Sequence, residues 1–332
     1  MSTVAGDLDA VGDVLDAARA GDSAAFETLI APHRRALHLH CYRMLGSYAD
    51  AEDAMQEALL LAWRGLGGYE GRAPLLHWLY RITTTTCLKM INRRGREPVT
   101  TDDVAWLQPY PDALLDQHAD ADPAAVIDRW ASVTLAFVAA MQLLPATQRA
   151  VLILRDVLCW SSREVADLLD TTVAAVNSAL QRARATLAAT PGTTAATAPL
   201  GDQERRVVDA FVRAWAECDM AALAALLRDD AIMTMPPQSL RIVGREAIVE
   251  FFGTVPAGGR LDLIRLVVTR ANGHPAVAAY LPGDRLECQG YGIMVLTLAG
   301  DAIASITGFP SPDLFPAFGL PMTLNASLSK ES

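Results

Sequence analysis

Residues 144–187 read LPATQRAVLILRDVLCWSSREVADLLDTTVAAVNSALQRARATL, and the fold class is decided there. Residues 162–170 and 173–187 are two short helical patterns separated by a threonine-rich turn, the layout of a helix-turn-helix. Ser161 followed by Glu164 makes a capping box for the first helix. In the second, Val176, Leu180, Ala183 and Leu187 recur at helical spacing and face a core. Thr172, Ala174, Asn177, Ser178, Gln181, Arg182 and Arg184 are left outward. That face holds two positive charges, no acid, and amide and hydroxyl groups able to reach base edges. Upstream, residues 50–64 (DAEDAMQEALLLAWR) turn Ala51, Ala54, Met55, Ala58 and Ala62 inward and Asp53, Gln56, Glu57, Leu60 and Arg64 outward. Residues 67–74 form a Gly- and Pro-punctuated loop, after which WLYRI at 78–82 opens a basic stretch reaching Arg96.

The composition, 332 residues with 52% hydrophobic and 20% charged, is that of a globular chain long enough for two or three domains. A net charge of −10 runs against nucleic-acid binding until it is divided along the chain. Arg81, Lys89, Arg93, Arg94 and Arg96 occur in 81–96 with no acid, whereas 97–132 holds eight acids against Arg129 alone. A short basic surface can therefore hold phosphates while the whole chain stays acidic, which suits a protein that works on a larger partner. Cys41, Cys87, Cys159, Cys218 and Cys288 are dispersed with no paired spacing, which argues for a reducing cytoplasm and against a disulfide framework. His33, His38, His40 and Cys41 match no usual zinc spacing, and they read as a helical surface with partly buried histidines. No metal or other cofactor is expected, and no signal pattern or membrane span is indicated.

Two motifs in the correct order and at the correct distance carry a resemblance over roughly residues 22 to 190. The chain resembles the extracytoplasmic-function (ECF, group 4) class of the bacterial sigma-70 family. Residues 50–57 are similar to the region 2 helix that docks on the polymerase clamp, 71–82 to the promoter-melting segment, and 144–187 to region 4. The resemblance implies contact with the β′ clamp helices of core RNA polymerase through Asp53, Gln56, Glu57 and Leu60, and with the β flap through region 4. It implies capture of a −10 element by Tyr69, Arg72, Tyr80, Arg81, Lys89 and Arg93, chosen over Trp78, whose spacing with Ile82 fits a core position. A −35 element falls to Thr172, Ala174, Asn177, Ser178, Gln181, Arg182 and Arg184. Leu76 and His77 stand where the family commonly has Arg and Thr, and Thr84, Thr85 and Thr86 replace an Ala-Thr-Asn run, which puts promoter preference in doubt. Residues 106–112 (WLQPYPD) resemble a signature of ECF members with a large C-terminal extension, and a solvated hinge is the other reading of that stretch.

Such an extension follows. Residues 188–201 make a tether of 14 residues with a span of roughly 20 Å. Residues 204–230 read as a helical pair and 245–252 as another helix, and strand-like runs lie at 263–269, 275–280, 292–298 and 302–308. This α+β order, with residues 229–237, resembles the SnoaL-like members of the nuclear-transport-factor-2-like cone fold. The expected architecture is thus multidomain, two all-α domains followed by an α+β cone. Its parts are 10–96 (region 2), 97–130 (acidic, Pro-containing linker), 131–189 (region 4), 190–201 (tether), 202–310 (cone) and 311–332 (tail). Trp215, Met233, Met235, Phe252, Tyr280, Tyr291, Met294 and Phe309 are the expected pocket lining, with a small molecule as a possible ligand. Asp229 and Asp230 are the nearest acid-base candidates for an isomerase or hydrolase, against the plainer reading of a solvated helix cap. The expected function is a non-enzymatic, cytoplasmic initiation factor modulated in cis by the cone, with a ligand-sensing or enzymatic cone as the alternative. The apolar tail, with Leu314, Phe315, Phe318, Leu320 and Met322, must dock, either on its own domain or on region 2 or the Trp106 segment.

Overall fold

The computed structural model describes residues 12–93, 106–115, 133–190, 201–283 and 287–325. The basic residues Arg94 and Arg96, most of the acidic linker and nearly all of the tether lie outside them. The chain divides into two compact units, Met1–Pro98 with Ala140–Thr190, and Val99–Ala139 with Pro191–Ser332.

The first unit is helical: α1 (Ser23–Ile30), α2 (Arg34–Leu45), α3 (Tyr48–Gly65), α4 (Leu75–Arg93), then α5 (Leu135–Gln142, which runs into it), α6 (Ala146–Leu152), α7 (Ser162–Leu169) and α8 (Val173–Ala188). Polar residues set the helix starts: Asp22 accepts from Ala24 N and Ala25 N, and Ser47 Oγ accepts from Asp50 N at 3.2 Å. Alanines at 51, 54, 58 and 62 are buried, so α3 approaches α2 and α4 closely. Gly46 ends α2 at φ 74°, and a Cβ there would sit 2.8 Å from Gln142 Cδ, so the position requires glycine on both counts.

Arg149 ties the parts of this unit together from inside. Only 4% exposed, its guanidinium donates to Met44 O, to Gln142 Oε1, to Gln142 O at 3.0 Å and to Leu144 O at 3.2 Å. Burial pulls its pKa down to about 10. His40 is also fully buried, with Nε2 2.9 Å from Thr84 Oγ1. Burial, aided by the charge of Arg43, holds its pKa at about 3. The folded state thus keeps His40 neutral, whereas the unfolded chain protonates it below its ordinary value of 6.5. Its contribution is complete above that value and is lost as pH falls toward 3, at about 1.4 kcal/mol per pH unit. His40 alone should make the first unit about 2 kcal/mol less stable to urea at pH 5 than at pH 7, and His40→Gln should remove that share while leaving the one from His38, whose pKa burial lowers to about 4.

The second unit is a curved sheet with helices α9 (Asp202–Ala216), α10 (Met220–Leu226) and α11 (Arg245–Thr254). Its strands are β1 (Leu227–Met235), β2 (Gln238–Val243), β3 (Arg265–Ala271), β4 (His274–Pro282), β5 (Glu287–Ala299), β6 (Ala302–Phe309) and β7 (Thr323–Asn325). The order is β2-β1-β6-β5-β4-β3, with β7 paired to β5, and among the described residues only β1 and β6 run parallel. β1 and β2 add to the four strands that the sequence pattern predicts, which ends the second helix at Asp229 and Asp230. They stand instead on the exposed stretch of β1, held by Arg245 and Arg228, each at 2.8 Å.

The Pro-rich segment expected in a linker is folded into this unit. Tyr110 is 1% and Asp112 2% exposed. Pro111 bridges Ala271, Tyr110 N donates to Asn272 Oδ1 at 2.7 Å, and Asn272 N returns a bond to Tyr110 O at 2.9 Å. Asp112 takes Arg270 Nε at 3.1 Å and Gly273 N at 2.9 Å, while Arg270 also pairs with Glu204. The segment thereby extends the β3–β4 hairpin, and a solvated hinge is excluded for residues 110–112. The first part of the tail docks on its own sheet: Leu314 and Phe315 are buried, and Phe315 packs edge-on to Tyr280 at 5.0 Å, whereas Phe318 and Leu320 are half-buried and Met322, expected to dock, is 44% exposed. A Cβ at Gly290 would come within 2.8 Å of the Phe315 ring, so glycine on β5 makes room for it.

Candidate nucleic-acid and polymerase interfaces and the C-terminal cavity

Helix α3 presents Asp53, Gln56 and Leu60 to solvent, with Glu57 half-buried beside them. Leu60 is 56% exposed, a large apolar side chain between acids and amides, the kind of surface that another protein covers. Its opposite face carries the buried alanines, so these residues do not serve the core.

The −10 candidates divide. Arg72, Arg81, Lys89 and Arg93 are exposed and Tyr69 is half-buried. Tyr80 is 5% exposed, edge-on to His40 and to Trp160, and burial lifts its pKa to about 12. It is a packing residue here, because position 80 lies on the same face of α4 as the buried Thr83, Thr84 and Cys87. Trp78 is half-buried, its ring 5.2 Å from that of Tyr69. Tyr69 Oη donates to Ala73 O at 2.6 Å, and Arg72 pairs with Glu70, so the loop is braced internally.

Within the first unit the loop and helix start at residues 67–82 also meet the helix-turn-helix. The His77 ring stacks on Trp160 at 4.2 Å with 20° between planes, and His77 Nδ1 lies 3.9 Å from Glu164 Oε1. A groove of about 440 Å³ runs between them, lined by Tyr69, Arg72, His77, Trp78, Arg81, Trp160 and Glu164 among others. Neither His77 nor Trp160 was singled out as a contact residue on sequence, since each reads alone as an ordinary surface or core aromatic.

The recognition helix α8 shows the expected division. Val176, Leu180 and Ala183 are buried, Leu187 is half-buried, and all seven outward residues are exposed. The capping box at Ser161 and Glu164 is formed. Several outward groups already have partners: Thr172 Oγ1 caps α8 at Ala175 N, Ser162 Oγ donates to Asn177 Oδ1 at 2.7 Å, and Arg182 Nη1 donates to Ser178 Oγ at 2.7 Å. Arg184 makes a two-pronged pair with Asp156 at 2.9 and 2.7 Å, so it braces region 4 as well as adding charge.

The cone encloses a cavity of about 460 Å³. Of the eight residues expected to line it, Trp215, Met233, Met235, Phe252, Tyr291, Met294 and Phe309 do so. Tyr280 does not, because strand alternation gives its neighbours Ala279 and Leu281 to the cavity and turns Tyr280 to the other face. There its hydroxyl donates to Pro321 O at 2.9 Å. Asp229 and Asp230 are not in the lining either, their ion pairs being on the surface. Among the described residues no group of three or more His, Cys, Asp or Glu is placed to hold a metal, and no helix is long and apolar enough to cross a membrane.

Comparison with known proteins accounts for each part. The sigma-70 region 2 family matches residues 29–97, the sigma-70 region 4 family 134–187, and the SnoaL-like domain family 208–306. The ECF RNA polymerase sigma factor SigG of Mycobacterium tuberculosis is 39% identical over 325 residues, covering 92% of this chain and 86% of that protein. SigM of the same species is 33% identical over 177 residues, 53% of this chain and 82% of its own. The crystal structure of the Mycobacterium tuberculosis ECF sigma factor SigJ shares the fold, with a TM-score of 0.61 at 23% identity over 91% of this chain and all of that one. Similarity at this level over nearly the full length, with both sigma regions matched in order, shows that the chain belongs to the ECF RNA polymerase sigma factors, in the form that carries a C-terminal SnoaL-like domain.

Proposed function

We propose that this sigma factor engages the β′ clamp helices of core polymerase through Asp53, Gln56, Glu57 and Leu60 and the β flap through region 4. It reads a −35 element with α8 and opens a −10 element with Tyr69, Arg72, Arg81, Lys89 and Arg93, in the cytoplasm and without chemistry of its own. The carrying observation is the exposed, acid-free outer face of α8 over a buried Val176–Leu180–Ala183 stripe. The SnoaL-like domain tunes this activity in cis, and what supports that is the inter-region segment anchored on it by Tyr110 and Asp112.

Arg182→Ala should weaken promoter occupancy with core binding retained. A lost base contact costs about 1–3 kcal/mol at one promoter position, whereas a lost phosphate contact weakens all sequences alike. Arg184→Ala should also lower region 4 stability, since Asp156 loses its partner. Unchanged occupancy for Arg182→Ala in gel-shift titrations of holoenzyme would remove that residue from the interface. Replacing Asp53 and Glu57 together by Lys should abolish core association in pull-down while the thermal midpoint shifts little, because Asp53 is exposed, Glu57 lies off the buried alanine stripe, and substitutions outside the core change stability by under about 0.5 kcal/mol.

A further inference from the structure

We propose that Ser162 is a positioning residue for promoter readout: it holds the Asn177 carboxamide so that Asn177 selects an A·T pair of the upstream element, through the N6 and N7 edge of adenine. The inference rests on the reading of α8 as the −35 helix and names the base that one of its residues takes. It starts from a bond between the two helices of the motif, Ser162 Oγ donating to Asn177 Oδ1 at 2.7 Å. Two successive serines stand at the start of α7, and the cap uses the first. Ser161 Oγ accepts from Glu164 N at 3.2 Å and Ser161 N donates to Glu164 Oε2 at 2.7 Å, which completes the capping box. The Ser162 hydroxyl is thereby left to turn toward α8. Behind this bond, Val165 and Leu168 of α7 and Val176 and Leu180 of α8 are buried, so both backbones are fixed where the two side chains meet.

Asn177 lies in the second turn of α8, exposed, one residue past the buried Val176. Asparagine there is a poorer helix former than alanine and fills no core, so the fold does not account for it. The N-terminal turns of a recognition helix are the ones that meet base edges. A carboxamide oxygen accepts through two lone pairs, and its nitrogen donates two protons. Ser162 takes one lone pair and stops the side chain from turning, which leaves an acceptor and N–H donors side by side. Adenine matches that pair with its N6 donor and N7 acceptor, whereas guanine presents O6 and N7, both acceptors, and would set O6 against Oδ1. Other outward groups of α8 are committed differently, Arg184 to Asp156 and Arg182 to Ser178. Holding the carboxamide before DNA arrives also spares the cost of ordering it on binding.

The test is promoter binding by holoenzyme assembled from the full-length chain and core polymerase, read by competition between labelled and unlabelled fragments. The starting fragment is one that the wild-type holoenzyme selects from a library, with each upstream position then exchanged singly. One A·T pair is expected at which adenine is preferred to guanine by about tenfold. Replacing that adenine by 7-deazaadenine, which lacks the N7 acceptor, should weaken wild-type binding by about threefold to tenfold. Asn177→Ala should bind the adenine, guanine and 7-deazaadenine fragments alike. Ser162→Ala should keep its affinity for the guanine fragment and lose about threefold of the adenine preference, and Ser162→Thr, which keeps the hydroxyl, should restore it. A serine with a merely structural role would on removal weaken every fragment equally, and that result overturns the proposal, as does an Asn177-dependent position that prefers guanine. An effect of Arg182→Ala on promoter binding without one of Asn177→Ala overturns this inference and leaves the role of α8 standing. Silence of both variants removes the reading of α8 as well.

Discussion

Asn272→Ala should lower the stability of the second unit by about 3–8 kcal/mol. The Asn272 side chain accepts from Tyr110 N at 2.7 Å and donates to Val133 O at 2.6 Å, and the residue itself is fully buried. Taking away one partner of a buried backbone group costs about 1–3 kcal/mol, and here two such groups are affected. Asn272 also sits at φ 56°, where asparagine is tolerated and alanine is strained by about 1–2 kcal/mol. Asn272→Gly relieves the strain and keeps the loss of bonds, so the difference between the two variants isolates the backbone term. Urea unfolding should place Gly between wild type and Ala. Limited proteolysis should find new cleavage near residues 106–115 in both, and a change in transcription by Asn272→Gly would connect the anchored segment to activity. A stability within 0.5 kcal/mol of wild type would contradict the assignment of this residue as the anchor.

Arg149→Met should also be damaging in the first unit, by about 3–5 kcal/mol. Methionine replaces most of the volume, but the carbonyls of Met44, Gln142 and Leu144 lose a shared donor inside the protein. Because Met44 lies at the end of α2 and Leu144 in the turn before α6, the loss falls on the junction of region 2 with region 4. Denaturant unfolding followed by the fluorescence of Trp160, at the His77 stack, should report the loosened junction before the global transition. Coincident early and global transitions with unchanged stability would show that Arg149 is dispensable.

The helices were legible because their signals are local. The Ser161–Glu164 box and the stripe through Val176, Leu180 and Ala183 both lie within a few turns of sequence. The failures share a cause, which is dependence on distant contacts. Tyr80 looks like a base-stacking aromatic until Trp160 is placed against it, and Tyr280 looks like pocket lining until strand register decides its face. Asp229 and Asp230 follow an apolar helix in sequence but belong to a strand whose edges are β2 and β6. Tyr110 and Asp112, in a run of prolines, leave a solvated hinge and a family signature equally open, and the β3–β4 turn about 160 residues further on reveals them as anchors. In the tail, Leu314 and Phe315 are buried in the room left by Gly290, whereas Phe318 and Leu320 are half-buried and Met322 is 44% exposed, a division that the even apolar spacing of these residues does not reveal.

Run-off transcription with purified core enzyme on a library of promoter sequences tests most directly whether these surfaces direct core polymerase to promoters. The wild-type chain should select a common pair of elements and yield defined start sites. Asp53→Lys with Glu57→Lys should yield none, and Arg182→Ala should relax or weaken the upstream element alone. Start sites identical with and without the protein, or a double charge reversal that initiates as well as wild type, would contradict the account.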